Sequence, residues 1–218
     1  MNILDAFTDF ILSREAMNVT SRTLDYYNFY LSKFTGYLKT QSIEKVEGLS
    51  SFHVRLFLKS LRDRELSDSY IHCFARVIRT FSRFLYKEEH ISKPIHFEMP
   101  KIADKNLRVL SVDEIQRVLA SCNTMRDKLI IMLFVDSGVR LAELCKLNWS
   151  DINLDSGSVV VREGKGRKFR VVGIGIKTRR LLLKYKSQID LQMDETPLIQ
   201  TYQGTRLTTM GVRSSVTS

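Results

Sequence analysis

The sequence is short of the residues that mark most non-globular and exported architectures. Three prolines and ten glycines among 218 residues are too few for a collagen-like repeat or a linker-dominated chain. The three cysteines, Cys73, Cys122 and Cys145, are odd in number, far apart and never in a Cys-x-x-Cys pair. They offer no disulfide framework and suit a reducing compartment, as buried free thiols. Long apolar runs are missing too. The longest, Leu129–Val135, spans seven residues, far below the roughly 18 that a membrane span needs, so no membrane partner is expected. The opening Met1-Asn2-Ile3-Leu4-Asp5 puts an acid where an export signal carries bases, and the expected location is cytoplasmic. What remains is ordinary globular usage, 44% hydrophobic and 27% charged, which excludes disorder as the main state. At this length the chain is one large domain or two small ones.

Acidic residues are scarce relative to basic ones: 34 Lys and Arg against 24 Asp and Glu leave a net charge of +10. The excess is unevenly spread. Residues 1–50 carry five bases and six acids, whereas residues 160–186 carry ten bases and one acid, Glu163. Such asymmetry is the footprint of a polyanion partner, nucleic acid first among them. The alternative is a solvated basic face.

The first ninety residues read as helices. Ile3, Phe7, Phe10 and Ile11 line one side of a helix over Asn2–Met17, the spacing of a surface helix. Thr20 offers an N-cap to a second helix reaching about Lys39, with Leu24, Tyr27, Leu31, Phe34 and Leu38 as its core stripe. A third spans about Ser51–Arg64, with Phe52, Leu56 or Phe57, and Leu61 expected inward. In a fourth, about Ser67–Glu89, Phe74, Ile78, Phe81 and Leu85 share one face. Arg76, Arg79, Arg83 and Lys87 share the opposite one, with no acid among them. Four bases on one stripe repel, and an anionic partner would explain them; a solvated face balanced by acids of a neighbouring helix is the competing reading.

Periodicity lapses over residues 90–108, which hold Pro94 and Pro100 and are the expected linker between residues 1–89 and 109–218. Ser111-Val112-Asp113-Glu114 then restarts regular structure as a capping box, with Leu110 and Ile115 as its hydrophobic staple. Helices are expected at about 112–121, 125–137 and 140–148. Ser158–Arg162 and Phe169–Ile174 are Val/Ile-rich strands flanking Gly164-Lys165-Gly166-Arg167, a hairpin with glycines at its turn. A basic helix over 176–189, a short strand at Pro197-Leu198-Ile199 and a helix opening at Thr208 complete the expected order.

Two features carry chemistry. In Asp136-Ser137-Gly138-Val139-Arg140-Leu141-Ala142-Glu143-Leu144, Gly138 breaks one helix and Arg140 opens the next. A guanidinium there can offer a planar fork to a phosphate, or simply pair with Glu143 at i+3. The second is Lys165, between two glycines at a hairpin tip, which is either a solvated charge or an ammonium able to reach a reaction centre.

The order small-Gly-x-Arg-x-x-Glu-Leu, then Asp151-Ile152-Asn153, then Gly164-Lys165-Gly166-Arg167-Lys168 resembles the tyrosine recombinase (phage integrase) family, in its Xer-like branch. Phe7 through Arg14 and Ser21-x-Thr23-x-x-x-Tyr27-x-x-x-Leu31-x-x-Phe34 resemble that family's helical core-binding domain. The resemblance covers essentially the whole chain. It implies a mainly α fold with a small β-hairpin or sheet: a helical core-binding domain over 1–89 and, over 109–218, the N-terminal part of an α+β catalytic domain. It also implies a clamp on double-stranded DNA bearing inverted-repeat sites, with other recombinase protomers or a related intact recombinase as partners, and a nucleoid-associated location. In that family a tyrosine attacks a phosphodiester, leaving a 3′-phosphotyrosyl enzyme and a free 5′-hydroxyl, and the bond energy is kept, so neither cofactor nor metal is needed. By position Arg140 matches the first catalytic arginine, holding non-bridging oxygens as charge builds, and Lys165 the lysine that protonates the leaving 5′ oxygen. Glu143 matches a supporting residue of the arginine box. Arg76, Arg79, Arg83, Lys87, Arg167 and Lys168 are the expected DNA contacts.

The departure lies downstream. The family's His-x-x-Arg, a second His or Trp, and the nucleophilic tyrosine should follow the lysine. Yet the four histidines, His53, His72, His90 and His96, all precede Arg140, and only Tyr185 and Tyr202 follow Lys165. The expectation is therefore a chain truncated before those motifs and unable to cleave DNA alone. The alternative is a non-catalytic DNA-binding regulator derived from a recombinase.

Overall fold

Asn2 sits in extended backbone and its side chain accepts from the Leu4 N–H, so the first helix, α1 (Ile3–Ala16), starts with an orphan donor already satisfied. Ile3, Ala6 and Phe10 form its buried edge. In the computed structural model, which describes residues 1–103, 108–162, 169–189 and 195–217, the elements divide between two units, residues 1–107 and 108–218. Most are helices; among the described residues there is one sheet, of three antiparallel strands.

The first unit holds α1, α2 (Ser21–Thr40), α3 (Ser51–Asp63) and α4 (Asp68–Lys87). Thr20 occupies the N-cap position of α2, but its hydroxyl meets that of Thr23 at 2.9 Å rather than a backbone N–H. Helix α4 packs on the other three and is buried at Phe74, Ile78, Phe81 and Leu85, the face its periodicity requires. Helix α3 corrects one expectation. Phe52 is 55% exposed, and the inward stripe is Val54, Phe57, Leu58 and Leu61. At about 100° per residue these four fall on one side and Phe52 falls opposite them. Both sides of α3 carry apolar residues, so its periodicity is ambiguous until α2 and α4 choose the larger stripe.

After α4 the chain makes no helix or strand up to residue 103. Of the segment read as a linker, Ile91 is buried in the first core, and Ile95, Phe97 and Met99 pack against it. Arg79 donates from Nη2 to the Phe97 carbonyl at 3.2 Å, and its guanidinium lies over the Phe97 ring. Lys101 and Ile102 are exposed, as are Arg108 and Val109. Limited trypsin digestion should therefore cut first between Lys101 and Arg108; early cuts within α4 would place the weak point elsewhere.

The second unit opens with α5 (Val112–Ser121), closed by the expected capping box. The Ser111 hydroxyl accepts from Glu114 N at 3.2 Å, and Glu114 Oε2 accepts from Ser111 N at 2.8 Å. Helix α6 (Met125–Ser137) buries Leu129, Ile130 and Leu133. The next helix, α7, covers only Leu141–Leu144 instead of reaching Asn148. Its continuation is taken by backbone pairing elsewhere: Leu198 N donates to Leu147 O and Trp149 N to Thr196 O. A 3₁₀ turn, Trp149–Asp151, leads into β1 (Ile152–Asn153), a strand the sequence did not announce. Strands β2 (Ser158–Val161) and β3 (Arg170–Gly173) follow, with Val159 opposite both Ile152 and Val172, and Val161 opposite Arg170. Gly157, at φ +73°, makes the β1–β2 turn, where a Cβ would sit 2.8 Å from the Ile174 carbonyl.

Helix α8 (Ile176–Lys186) turns Thr178, Leu182 and Tyr185 inward, leaving Lys177, Arg180, Lys184 and Lys186 outside that buried face. Pro197-Leu198-Ile199 forms an isolated bridge with Asn148 rather than a strand. Helix α9 spans Thr209–Thr217.

Candidate nucleic-acid site

Gly138 adopts φ +59° and its N–H donates to Phe134 O, ending α6 in the left-handed conformation that glycine tolerates best. Val139, 4% exposed, pins the reversal to the core. Arg140 then sits at the N-cap of α7 in extended backbone. Asp136, first residue of the motif, fixes the other side of the turn: its Oδ2 accepts from Gly175 N at 2.7 Å and from the Thr178 hydroxyl at 2.6 Å, at the start of α8.

The centre of the site is Glu143, whose side chain is 4% exposed. Its Oε2 accepts from the Arg140 backbone N–H at 2.8 Å, and its Oε1 from Arg140 Nη1 at 2.9 Å. The i+3 pairing that the sequence allowed therefore exists. It does not consume the arginine, because Arg140 remains 59% exposed. A second guanidinium completes the arrangement: Arg170, at the start of β3, makes two parallel bonds to the same carboxylate, Nη1–Oε1 at 2.9 Å and Nη2–Oε2 at 2.7 Å. Two cations share one anion, leaving a net positive charge around a preorganised, half-exposed guanidinium, a geometry suited to holding a phosphate.

This pairing holds the Glu143 carboxyl down to about 2, chiefly through the Arg170 guanidinium. Burial works the other way, and the Arg140 backbone N–H and guanidinium add to the lowering. A carboxyl lowered from 4.5 to about 2 contributes stability that is fully present above its unfolded value and is lost as pH falls through the folded one. The contribution is on the order of 3 kcal/mol. Trp149, the one tryptophan of the sequence, is 8% exposed in the second core and reports on this unit alone. Its unfolding midpoint in urea should fall between pH 4.5 and 2 more steeply in the unaltered protein than in Glu143→Gln. Parallel profiles would remove Glu143 from the acid limb.

The hairpin lysine falls outside the described residues, as do Arg167 and Lys168. The strands on either side are described, and each is fastened to a buried acid. Arg162 Nε donates to Asp151 Oδ1 at 2.6 Å, next to the end of β2, while Arg170 holds Glu143 at the start of β3. Asp151 is 5% exposed, and its Oδ2 also accepts from Asn148 N. In the sequence Arg162 and Arg170 are members of the basic run with no role of their own. The available signal was stoichiometric: a buried carboxylate has about four acceptor sites, and one neighbouring arginine cannot fill them all.

The four bases of α4 belong to the first unit. Arg76, Arg83 and Lys87 are exposed and have no ion-pair partner among the described residues, whereas Arg79 is half-buried by its contact with Phe97. Of the two late tyrosines, Tyr185 is 6% exposed, its hydroxyl accepts from Gln200 N at 3.4 Å, and burial pushes its pKa up. Tyr202 is 87% exposed, with its ring 4.8 Å from the Arg126 guanidinium.

Residues 108–218 match the model of the phage integrase family. The chain belongs to that family. Within it, this integrase-family chain is Xer-like. It is 28% identical over 198 residues to the tyrosine recombinase XerA of Pyrococcus horikoshii, covering 91% of this chain and 64% of that protein. It is 32% identical over 211 residues to XerC of Thermodesulfovibrio yellowstonii, covering 90% and 68%. With XerC of Xanthomonas campestris it shares 35% over 163 residues, 72% of this chain and 50% of that protein. The integrase-family chain thus spans about half to two thirds of the length of these curated relatives. In fold it is similar to lambda integrase residues 75–356, crystallised as a dimer bound to a COC′ core site, with a TM-score of 0.81 at 16% identity over 100% of this chain and 77% of that one. A lambda integrase tetramer bound to a Holliday junction matches at 0.82 and 18%, over 100% and 65%. Among the described residues no helix is long and apolar enough to cross a membrane.

Proposed function

We propose that residues 1–218 engage duplex DNA as a site-specific tyrosine recombinase does, with Arg140 gripping the phosphodiester at the point of exchange. The observation that carries this reading is the half-exposed Arg140 guanidinium held on a buried, ionised Glu143. Such a donor meets its orientation cost on folding and not when phosphate arrives, and that is what electrostatic stabilisation of a charged transition state requires. Lys165 takes the role of general acid to the leaving 5′ oxygen. Arg76, Arg83 and Lys87, with Arg79 in part, and Arg167 and Lys168 track the backbone. The substrate is a duplex with inverted-repeat sites, bound beside further recombinase protomers or a related intact recombinase, in the nucleoid. The dimer and tetramer of lambda integrase support assembly of that kind.

In the recombinase reaction a tyrosine oxygen displaces the 5′ oxygen from phosphorus, and the phosphotyrosyl bond stores the energy for rejoining. Residues 1–218 contain no His-x-x-Arg, and among the described residues neither Tyr185, buried, nor Tyr202, on the surface, is bonded to a base that could activate it. This stretch by itself should bind a nicked suicide duplex on a native gel and leave no protein–DNA band on a denaturing one. A denaturing-gel adduct that disappears with Tyr202→Phe would overturn the inactivity. Absence of any duplex binding at low salt would overturn the proposal itself.

A further inference from the structure

The clamp on Glu143 reaches beyond the arginine box. Arg170 lies 27 residues beyond Glu143 in sequence and on a different element, yet it is the residue that meets both oxygens of the carboxylate through its side chain in parallel. It is 32% exposed where Arg140 is 59% exposed, and both of its terminal nitrogens are already committed to Glu143. The same Oε1 receives Arg140 Nη1 and the same Oε2 the Arg140 backbone N–H. The rotamer of Glu143 therefore sets both where α7 begins and where the Arg140 fork lies, and among the described residues Arg170 supplies two of the four bonds that fix that rotamer. Among the described residues, removing Arg170 leaves the buried carboxylate held by the residue whose side-chain direction it is meant to dictate.

We propose that Arg170 is a positioning residue for phosphate recognition: it acts through Glu143 to hold the Arg140 guanidinium in its binding orientation and does not itself contact the phosphate. The inference rests on the reading of Arg140 as the phosphate fork. It makes Arg140, α7 and the leading end of β3 one rigid unit, so the strand that follows residues 163–168 and the arginine box keep a fixed mutual geometry.

The test is a double-mutant cycle on binding of a fluorescein-labelled duplex, using the full 218-residue chain with Arg140→Ala, Arg170→Gln and both together. Trp149 unfolding checks that each variant is folded. If Arg170 works through Arg140, Arg170→Gln weakens binding about tenfold in the unaltered background and by under about twofold once Arg140 is alanine. Arg170→Lys keeps the charge but loses the two-pronged geometry, so it recovers part of the affinity, and it carries the cycle should Arg170→Gln not fold. Equal losses in both backgrounds, or full affinity in Arg170→Lys, would mean that Arg170 is an independent phosphate contact and would overturn the proposal. A second readout needs no DNA. The Nη1–H NMR signal of Arg140, the side-chain donor to Glu143, should be resolved and protected in the unaltered protein and should broaden or shift in Arg170→Gln, while the Glu143 carboxyl titrates at higher pH. Should duplex binding be indifferent to Arg140→Ala, the phosphate reading fails. An Arg140 signal and Glu143 titration unmoved by Arg170→Gln would instead refute the positioning role.

Discussion

Replacing Phe10 with alanine is expected to destabilise the first unit by about 3–5 kcal/mol and to leave the Trp149 transition of the second unit where it was. Phe10 is fully buried, with its ring edge-on to Tyr27, Phe81 and Phe84 at centroid separations of 5.1, 5.6 and 5.3 Å. The Arg14 guanidinium lies 4.9 Å from the centre of the same ring. Truncation removes the apolar area and all three aromatic neighbours' packing together, and surrounding rings of that size cannot collapse into the space. Far-UV circular dichroism in urea follows the helices of both units and Trp149 fluorescence the second alone, so the shift should appear only in the part of the circular-dichroism change that Trp149 does not share. A single transition, moved equally by both probes, would show that the two units unfold as one. A shift below about 1 kcal/mol would show that the Phe10 site relaxes more readily than its packing indicates.

Substituting Arg76, Arg83 and Lys87 together with alanine should weaken duplex binding by roughly 10²–10³-fold at about 0.1 M salt. It should also reduce the slope of log K against log salt by nearly three, because each phosphate that is no longer neutralised removes about 0.9. These three side chains are exposed on the face of α4 opposite its core stripe and have no ion-pair partner among the described residues. The weakening should be similar for unrelated DNA sequences, because phosphates carry no sequence information. Arg79 is left out because its guanidinium is already bonded to the Phe97 carbonyl. Its replacement should loosen the 91–99 segment as well as remove a charge. An unchanged slope in the triple variant would return the stripe to a solvated surface.

The parts of this molecule that are legible in the sequence are those decided locally. The inward face of α4 follows from helical period alone, the start of α5 from a four-residue capping box, and the break at Gly138 from a residue that tolerates positive φ. Arg140 and Glu143 are legible as a site because they lie three residues apart, where a side chain and a helix terminus must interact. What the sequence leaves undecided depends on partners distant along the chain. Phe52 reads as inward because both faces of α3 are apolar, and only packing against α2 and α4 separates them. Helix α7 stops at Leu144 because residues 196–198 compete for the backbone that would have extended it. Arg170 is invisible for the same reason: its meaning comes from a carboxylate brought to it by the sheet. Lys165, Arg167 and Lys168 lie outside the described residues, so their part in the site rests on the resemblance to the family.

The most direct measurement is the salt dependence of duplex affinity for the unaltered chain and for Arg140→Ala, in parallel with Trp149 unfolding. Arg140 should contribute one charge-assisted phosphate contact. Removing it should cost about tenfold in affinity and lower the salt slope by about one, with the Trp149 midpoint little changed because Arg170 still holds Glu143. Identical affinity and slope for the two proteins, both folded, would contradict the assignment of Arg140 as the phosphate fork and with it the proposed function.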